Sequence, residues 1–420
     1  MVSSCRTTSG CWMDPAVWSR QLPVEVLHTI LSWLPIRSFC RMRCVSKGWN
    51  FFALDPGFKQ IVSRIPPPMP FWLVFNLVDQ DIVFDTSTGS WHEAGSYFYT
   101  SCFLSDTSFT KKGVITSSGS LLLITTTDRQ DNSMVVFNPI NKTKKWIPKM
   151  PRIKMCQTTG IIMDKKSGSF KIYVASEPMA GERMRLQVYD SVKNKWEQTG
   201  PLMRAGGRHE VLGAVLHGGS IYCLVARLSF NYSYQVYRVG IGEENWELVK
   251  ATMPRGIKFP HLFEHKGRLM MGGGIQSGPL GFRSTLSGVF VWELVEGSDH
   301  QWVNILHKPP IRGSRVYPEE VFVVDTDGDT HDWKTRLQMP EKLLQELVHG
   351  HDYFFVANGD YVGVGSRSAG SGDAQIMRYM SNLTTGSWWP LPVPSRNFCR
   401  TTQIEVTSTI LFEPRLDVVL

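Results

Sequence analysis

The sequence predicts a mainly β chain with a small α-helical domain at its N-terminus. Three observations carry that prediction. Apolar residues recur at 3.6-residue spacing only near the start of the chain. A run of prolines follows. Beyond it, short apolar or alternating stretches broken by Gly, Asn and Asp recur with a tryptophan at intervals of 50 to 86 residues. The composition is ordinary for a globular protein: 420 residues, 42% hydrophobic and 20% charged, which excludes general disorder. The net charge of +8 is too diffuse to argue for nucleic-acid binding. It is uneven, however. Residues 1–68 hold eight basic side chains against three acidic ones, so +5 of the +8 lies in that segment, which would suit an acidic partner.

Each element follows from local chemistry. Residues 1–16 are polar, carry no apolar signal-peptide core and are expected to be disordered. In residues 17–62, Leu22, Val26, Leu27, Ile30, Leu31 and Leu34 form a stripe along one helix. Pro23 suits its first turn and Pro35 ends it. Ser38 can cap a second helix carrying Phe39, Met42 and Val45; Ser46 can cap a third carrying Trp49, Phe52 and Leu54, stopping before Asp55-Pro56. Three short helices cannot hide this much apolar surface among themselves. They either pack on the larger domain or dock a partner protein.

Residues 63–72 contain Pro66-Pro67-Pro68, a stiff spacer. In residues 73–420, six segments end on Trp91, Trp146, Trp196, Trp246, Trp302 and Trp388, which are expected to be core residues. Glycines expected to make hairpin turns, Gly119, Gly168, Gly219, Gly267 and Gly359, precede the last five by 27, 28, 27, 35 and 29 residues. Such a turn needs glycine for its positive φ. Each unit reads as an antiparallel sheet of about four strands that cannot bury both faces alone, so radial stacking into a β-propeller of about six blades is expected. The first unit lacks its glycine hairpin, and the run TSTILFEP at 407–414 could supply a missing strand and close the ring. The stretch at about 311–350 reads as an insert with a helix over 339–350.

Motifs for chemistry are mostly missing. Asp325, Asp327 and Asp329 lack the glycine and glutamate that a calcium loop needs at its sixth and twelfth positions. Gly363 and Gly365 begin a near miss to a dinucleotide loop without its third glycine. The pairs His261/His265 and His349/His351 have no acidic or thiolate cluster nearby in sequence. Eight cysteines are scattered with no CxxC, which reads as reduced thiols; Cys40 and Cys44 read as packing residues. No apolar run approaches a membrane span. No metal and no cofactor are expected.

Leu22-Pro23, the apolar spacing to Leu34-Pro35, and then Arg43-Cys44-Val45-Ser46-Lys47-Gly48-Trp49 resemble the F-box. Val26 stands where leucine is usual and Ser46 where cysteine is common. The resemblance implies that Leu22, Pro23, Val26, Ile30, Leu31, Leu34, Pro35, Val45 and Trp49 form or support the contact with a Skp-family adaptor, and through it a cullin scaffold. The segment from His265 to Trp302, with Gly272-Gly273-Gly274, is similar to a complete kelch repeat, whereas most other units lack the double glycine. The whole order resembles the plant F-box/kelch-repeat family, including its UFO-like developmental members. That resemblance implies a non-catalytic substrate receptor of an SCF-type ubiquitin ligase in the nucleus or cytoplasm, with an unknown target protein on the propeller and no direct nucleic-acid or membrane partner. A non-degradative adaptor recruiting a transcription factor is the alternative it leaves open, and a metal-dependent propeller enzyme is a third.

Overall fold

The computed structural model describes residues 22–34, 36–52, 54–64, 72–77, 81–86, 88–93, 112–126, 133–150, 156–164, 167–176, 185–202, 208–228, 233–241, 243, 245–254, 256–277, 285–295, 301–306, 352–367, 376–392 and 406–415. The N-terminal 16 residues, Pro35, the triple proline, the acidic Asp325–Asp329 stretch, His349, His351 and the expected insert and its helix lie outside the described residues.

Among the described residues four helices come first: α1 (Val24–Ser32), α2 (Ile36–Val45), α3 (Lys47–Phe52) and α4 (Pro56–Arg64). The sequence reading expected three. It missed α4, although Asp55-Pro56 is a start signal: the Asp55 carboxylate accepts the Phe58 N–H at 3.0 Å, and Pro56 occupies a first-turn position where no N–H is needed. Ser46 caps α3 as expected, accepting the Trp49 N–H at 3.2 Å. Ser38, expected to be a cap, lies inside α2. Pro23 stands one residue before α1, and its carbonyl accepts the N–H groups of Val26 and Leu27.

The remainder of the described chain is β, in six four-stranded antiparallel sheets. Sheet one holds β1 (Trp72–Leu77), β2 (Asp81–Asp85) and β3 (Ser90–Glu93), with β24 (Val406–Phe412) beside β1. Sheet two holds β4 (Lys112–Ser118), β5 (Leu121–Thr126), β6 (Met134–Asn138) and β7 (Thr143–Ile147); sheet three holds β8 (Cys156–Met163), β9 (Phe170–Ser176), β10 (Arg185–Asp190) and β11 (Lys195–Pro201). Sheet four holds β12 (Arg208–His217), β13 (Ser220–Leu228), β14 (Ser233–Gly240) and β15 (Glu247–Leu248); sheet five holds β16 (Ile257–His265), β17 (Arg268–Ser277), β18 (Thr285–Val295) and β19 (Gln301–Leu306). Sheet six holds β20 (Asp352–Asn358), β21 (Tyr361–Arg367), β22 (Ile376–Asn382) and β23 (Trp388–Pro390).

The sheets form a closed ring. Their innermost strands touch in the order β24, β4, β8, β12, β16, β20 and back to β24. A separate apolar cluster fills each of the six clefts between neighbouring sheets. The period-2 geometry of a strand explains how one strand serves two clefts. On β5, Leu122 and Ile124 face sheet one while Leu121 and Leu123 face sheet three. Closure comes from the C-terminus, as the TSTILFEP run suggested: Trp72 pairs with Phe412 and Val74 with Ile410.

The turns follow the glycine argument. Gly119, Gly168, Gly219, Gly267 and Gly359 all have φ between +55° and +79°, with Gly218 and Lys266 also positive before Gly219 and Gly267. Gly272 and Gly273 lie within β17 rather than after it. A Cβ at Gly272 would come within 3.1 Å of the Phe355 ring of sheet six, and one at Gly273 within 3.1 Å of Ile257, so a larger residue at either position would have to displace its neighbour by a few tenths of an ångström.

A second turn device went unread in the sequence. Asp85, Asn138, Asp190 and Asn382 each end a third strand. In three of them the side-chain oxygen accepts N–H groups of the turn that follows: Ile140 for Asn138, Val192 and Lys193 for Asp190, Thr384 and Thr385 for Asn382. Burial raises the Asp190 carboxyl, but the Lys171 ammonium and the two turn N–H groups outweigh it and hold the carboxyl below its ordinary value. Trp91, Trp196 and Trp388 each stand six residues after such an Asp or Asn.

Candidate functional site: the exposed face of the helical module

Helix α1 carries two apolar stripes, where the sequence reading had one. Leu27 and Leu31, four residues apart, point inward; Val26, Ile30 and Trp33 point outward, with Ile30 51% and Trp33 59% exposed. The inward side is built into the propeller. Leu31, Phe39 of α2, Trp49 of α3 and Phe58 of α4 share one cluster with Val83, Ile410 and Phe412 of sheet one and with Leu122, Ile124, Val135, Phe137 and Ile140 of sheet two. Phe39 stacks on Phe58 with centroids 5.2 Å apart. The Arg43 guanidinium donates to the Ile140 carbonyl at 3.0 Å and to Asn50, tying α2 to the turn between β6 and β7.

The outward side presents Val24, Val26, Ile30 and Trp33 from α1, Val45 from α2, Phe51 from α3 (77% exposed) and Leu54. Exposed Arg41 and Lys47 lie among these residues in sequence. So many large exposed apolar side chains on one small module are unusual for a surface that meets only water.

The nine residues expected at the adaptor contact therefore divide. Pro23, Val26, Ile30 and Val45 are exposed and Leu22 is half-buried. Leu31 and Trp49 are core residues, and Leu34 packs partly against the same cluster, so these three support the face from beneath. Trp33 and Phe51 belong to the exposed set and were missed. The signal for Trp33 was present: it continues the Val26, Ile30 spacing at i+7.

The repeat tryptophans divide as well. Trp91 is 8% exposed, lies against Phe84, and donates its indole N–H to the Pro392 carbonyl beyond β23. Trp196 and Trp246 are half-buried and bond the Pro148 carbonyl and the Thr199 hydroxyl, each reaching the preceding sheet. Trp388 packs at the cleft between sheets five and six. The side chain of Trp302 lies outside the described residues. Trp146 is not a core residue: it is 39% exposed, with the Lys144 ammonium 5.9 Å above its ring. The reason is register. Lys144 takes the place six residues after Asn138 and pairs with Phe137, so Trp146 falls two residues later, opposite Val135. In that cleft the helical module supplies the aromatic filling instead.

Among the described residues no three His, Cys, Asp or Glu side chains are grouped to hold a metal ion. His265 Nδ1 lies 3.0 Å from the Gly359 carbonyl and 3.3 Å from Asp360 Oδ1, a link between sheets five and six. Burial pushes the His261 imidazole down to about 4. No described helix is long and apolar enough to cross a membrane.

The described chain thus joins a helical module, whose inward side chains share a core cluster with the propeller and whose other apolar side chains are exposed, to a ring of six sheets. The family comparisons agree. The F-box domain family matches residues 20–61, and the F-box associated beta propeller domain family matches residues 89–229. The chain thus carries an F-box domain followed by an F-box associated beta propeller domain, and the proteins it is similar to are plant F-box proteins. Protein UNUSUAL FLORAL ORGANS of Arabidopsis thaliana is 22% identical over 333 residues, 72% of this chain and 70% of that protein. An F-box/kelch-repeat protein of the same plant is 22% identical over 317 residues, 71% of each. F-box only protein 13, also from Arabidopsis thaliana, is 38% identical over 72 residues, 16% of this chain and 15% of that one.

Proposed function

We propose that this chain is the substrate-recognition subunit of an SCF-type ubiquitin ligase. The outward face of the helical module docks a Skp-family adaptor, which connects to a cullin, while a kelch-type propeller of six blades holds a target protein. The observation that supports this reading is the set of exposed apolar side chains on α1, α2 and α3, helices whose other apolar side chains are committed to a cluster shared with the propeller. The chain itself supplies no reacting group; its contribution is proximity, raising the effective concentration of target beside the transfer machinery on other subunits. Adaptor and target are its partners, in the nucleus, the cytoplasm or both.

The test is co-purification of the full chain with a Skp adaptor, comparing wild type with Val26→Asp/Ile30→Asp. Both side chains are exposed, so the double variant should keep its circular dichroism and melting temperature while losing the adaptor. Undiminished capture would remove the docking face from this surface. A target trapped on the variant and turned over faster with the wild type would establish the ligase role.

A further inference from the structure

The helical module shares one of the two clefts lined by β24, the strand that closes the ring. Sheet one is completed by β24, which joins β1 across more than three hundred residues of chain. Pairing β24 with β1 closes the longest loop in the fold and so carries the largest loop-closure cost of its strand pairings. The Leu411 carbonyl accepts hydrogen bonds from Ser117 of sheet two and Asn358 of sheet six, so β24 is stitched to both neighbours. The Glu413 N–H donates to the Gly119 carbonyl, and Asn138 Nδ2 donates to the Arg415 carbonyl. Leu31, Phe39, Trp49 and Phe58, each less than 8% exposed, share a cluster with Ile410 and Phe412 of β24 itself.

We propose that the helical module is a clamp on the propeller's closure seam, so that occupancy of its outer face stabilises the closed ring. The coupling is short. Ile30 of the outer face and Leu31 of the clamp are adjacent on α1, and exposed Phe51 and buried Trp49 share the single turn of α3. A ligand that orders these helices lowers the entropy cost of holding β24 in place, and by linkage the closed ring favours that ligand. The second half of this statement rests on adaptor docking as proposed above; the first half does not.

Hydrogen–deuterium exchange on the full chain separates the two. Phe58→Leu, a mild cavity variant, should raise exchange at residues 406–412 at least tenfold while strands β17 and β18 on the far side keep their protection. Val289→Ala, a cavity of comparable size in the cleft between sheets five and six, should not reproduce that local effect. Equal exposure of 406–412 in the two variants would mean the ring melts as a whole, and the clamp is refuted. Adding a purified Skp adaptor to the wild type should slow exchange at 406–412 severalfold. Binding without any such slowing overturns the coupling, whereas no binding at all overturns the docking reading and leaves the Phe58 result to decide the clamp.

Discussion

Trp91 and Trp146 occupy equivalent places in the sequence repeat and opposite environments in the fold, so their replacement by alanine tests the register argument directly. Trp91 is 8% exposed, has the Phe84 ring 5.1 Å away, and gives its indole N–H to the Pro392 carbonyl at 2.6 Å. Truncating an aromatic of this size in a core costs about 3–5 kcal/mol. The hydrogen bond adds little, because Pro392 is exposed and water replaces the indole at its carbonyl. Trp146 is 39% exposed, so its alanine variant forfeits a fraction of the area and a surface cation–π contact, together roughly 1 kcal/mol. At an unfolding entropy of about 2.1 cal/mol/K per residue over a propeller of ~350 residues, a loss of 3–5 kcal/mol lowers Tm by roughly 4–7 °C and a loss of 1 kcal/mol by about 1 °C. Differential scanning fluorimetry with a urea titration would read both. If the two variants melt within a degree of each other, the six-residue spacing from Asp or Asn to Trp does not decide burial and the register account is wrong.

Other outcomes follow from single sites. Asp190→Ala removes a carboxylate that accepts two turn N–H groups and the Lys171 ammonium; it should cost about 2 kcal/mol in urea unfolding, whereas Asp190→Asn, which keeps the turn bonds, should cost less. His261 binds its proton in the folded chain only near pH 4, against about 6.5 unfolded, so the unfolded state takes up protons first. Stability is therefore full above pH 6.5 and falls as the pH drops toward 4, by about 2 kcal/mol between pH 7 and 5, and His261→Gln should flatten that slope in urea midpoints measured across the window. Burial raises the Cys223 thiol while Cys44 is exposed, so a thiol reagent should label Cys44 in the native protein and reach Cys223 only on unfolding, as peptide mapping would show.

The parts of this protein legible in the sequence are those whose cause is local. A left-handed turn residue favours glycine for a purely local steric reason, so Gly119 and Gly359 announce hairpins without knowledge of the fold. Ser46 caps a helix through its own hydroxyl, and Asp55-Pro56 would have marked α4 by the same rule. Period-2 runs such as Leu121–Ile124 specify strands with two apolar faces because strand geometry alone sends neighbours to opposite sides.

What the tertiary structure decided is which apolar surface is hidden. Ile30 and Leu31 are adjacent, equally hydrophobic and on one helix, yet only Leu31 is buried, in a cluster that also holds Ile410 and Phe412, nearly four hundred residues away. Trp146 reads like every other repeat tryptophan, but its cleft is filled by Phe39, Trp49 and Phe58. Hydrophobicity is a property of a side chain and can be read one residue at a time. Burial is a property of the space beside it, and that space exists only once distant segments have met.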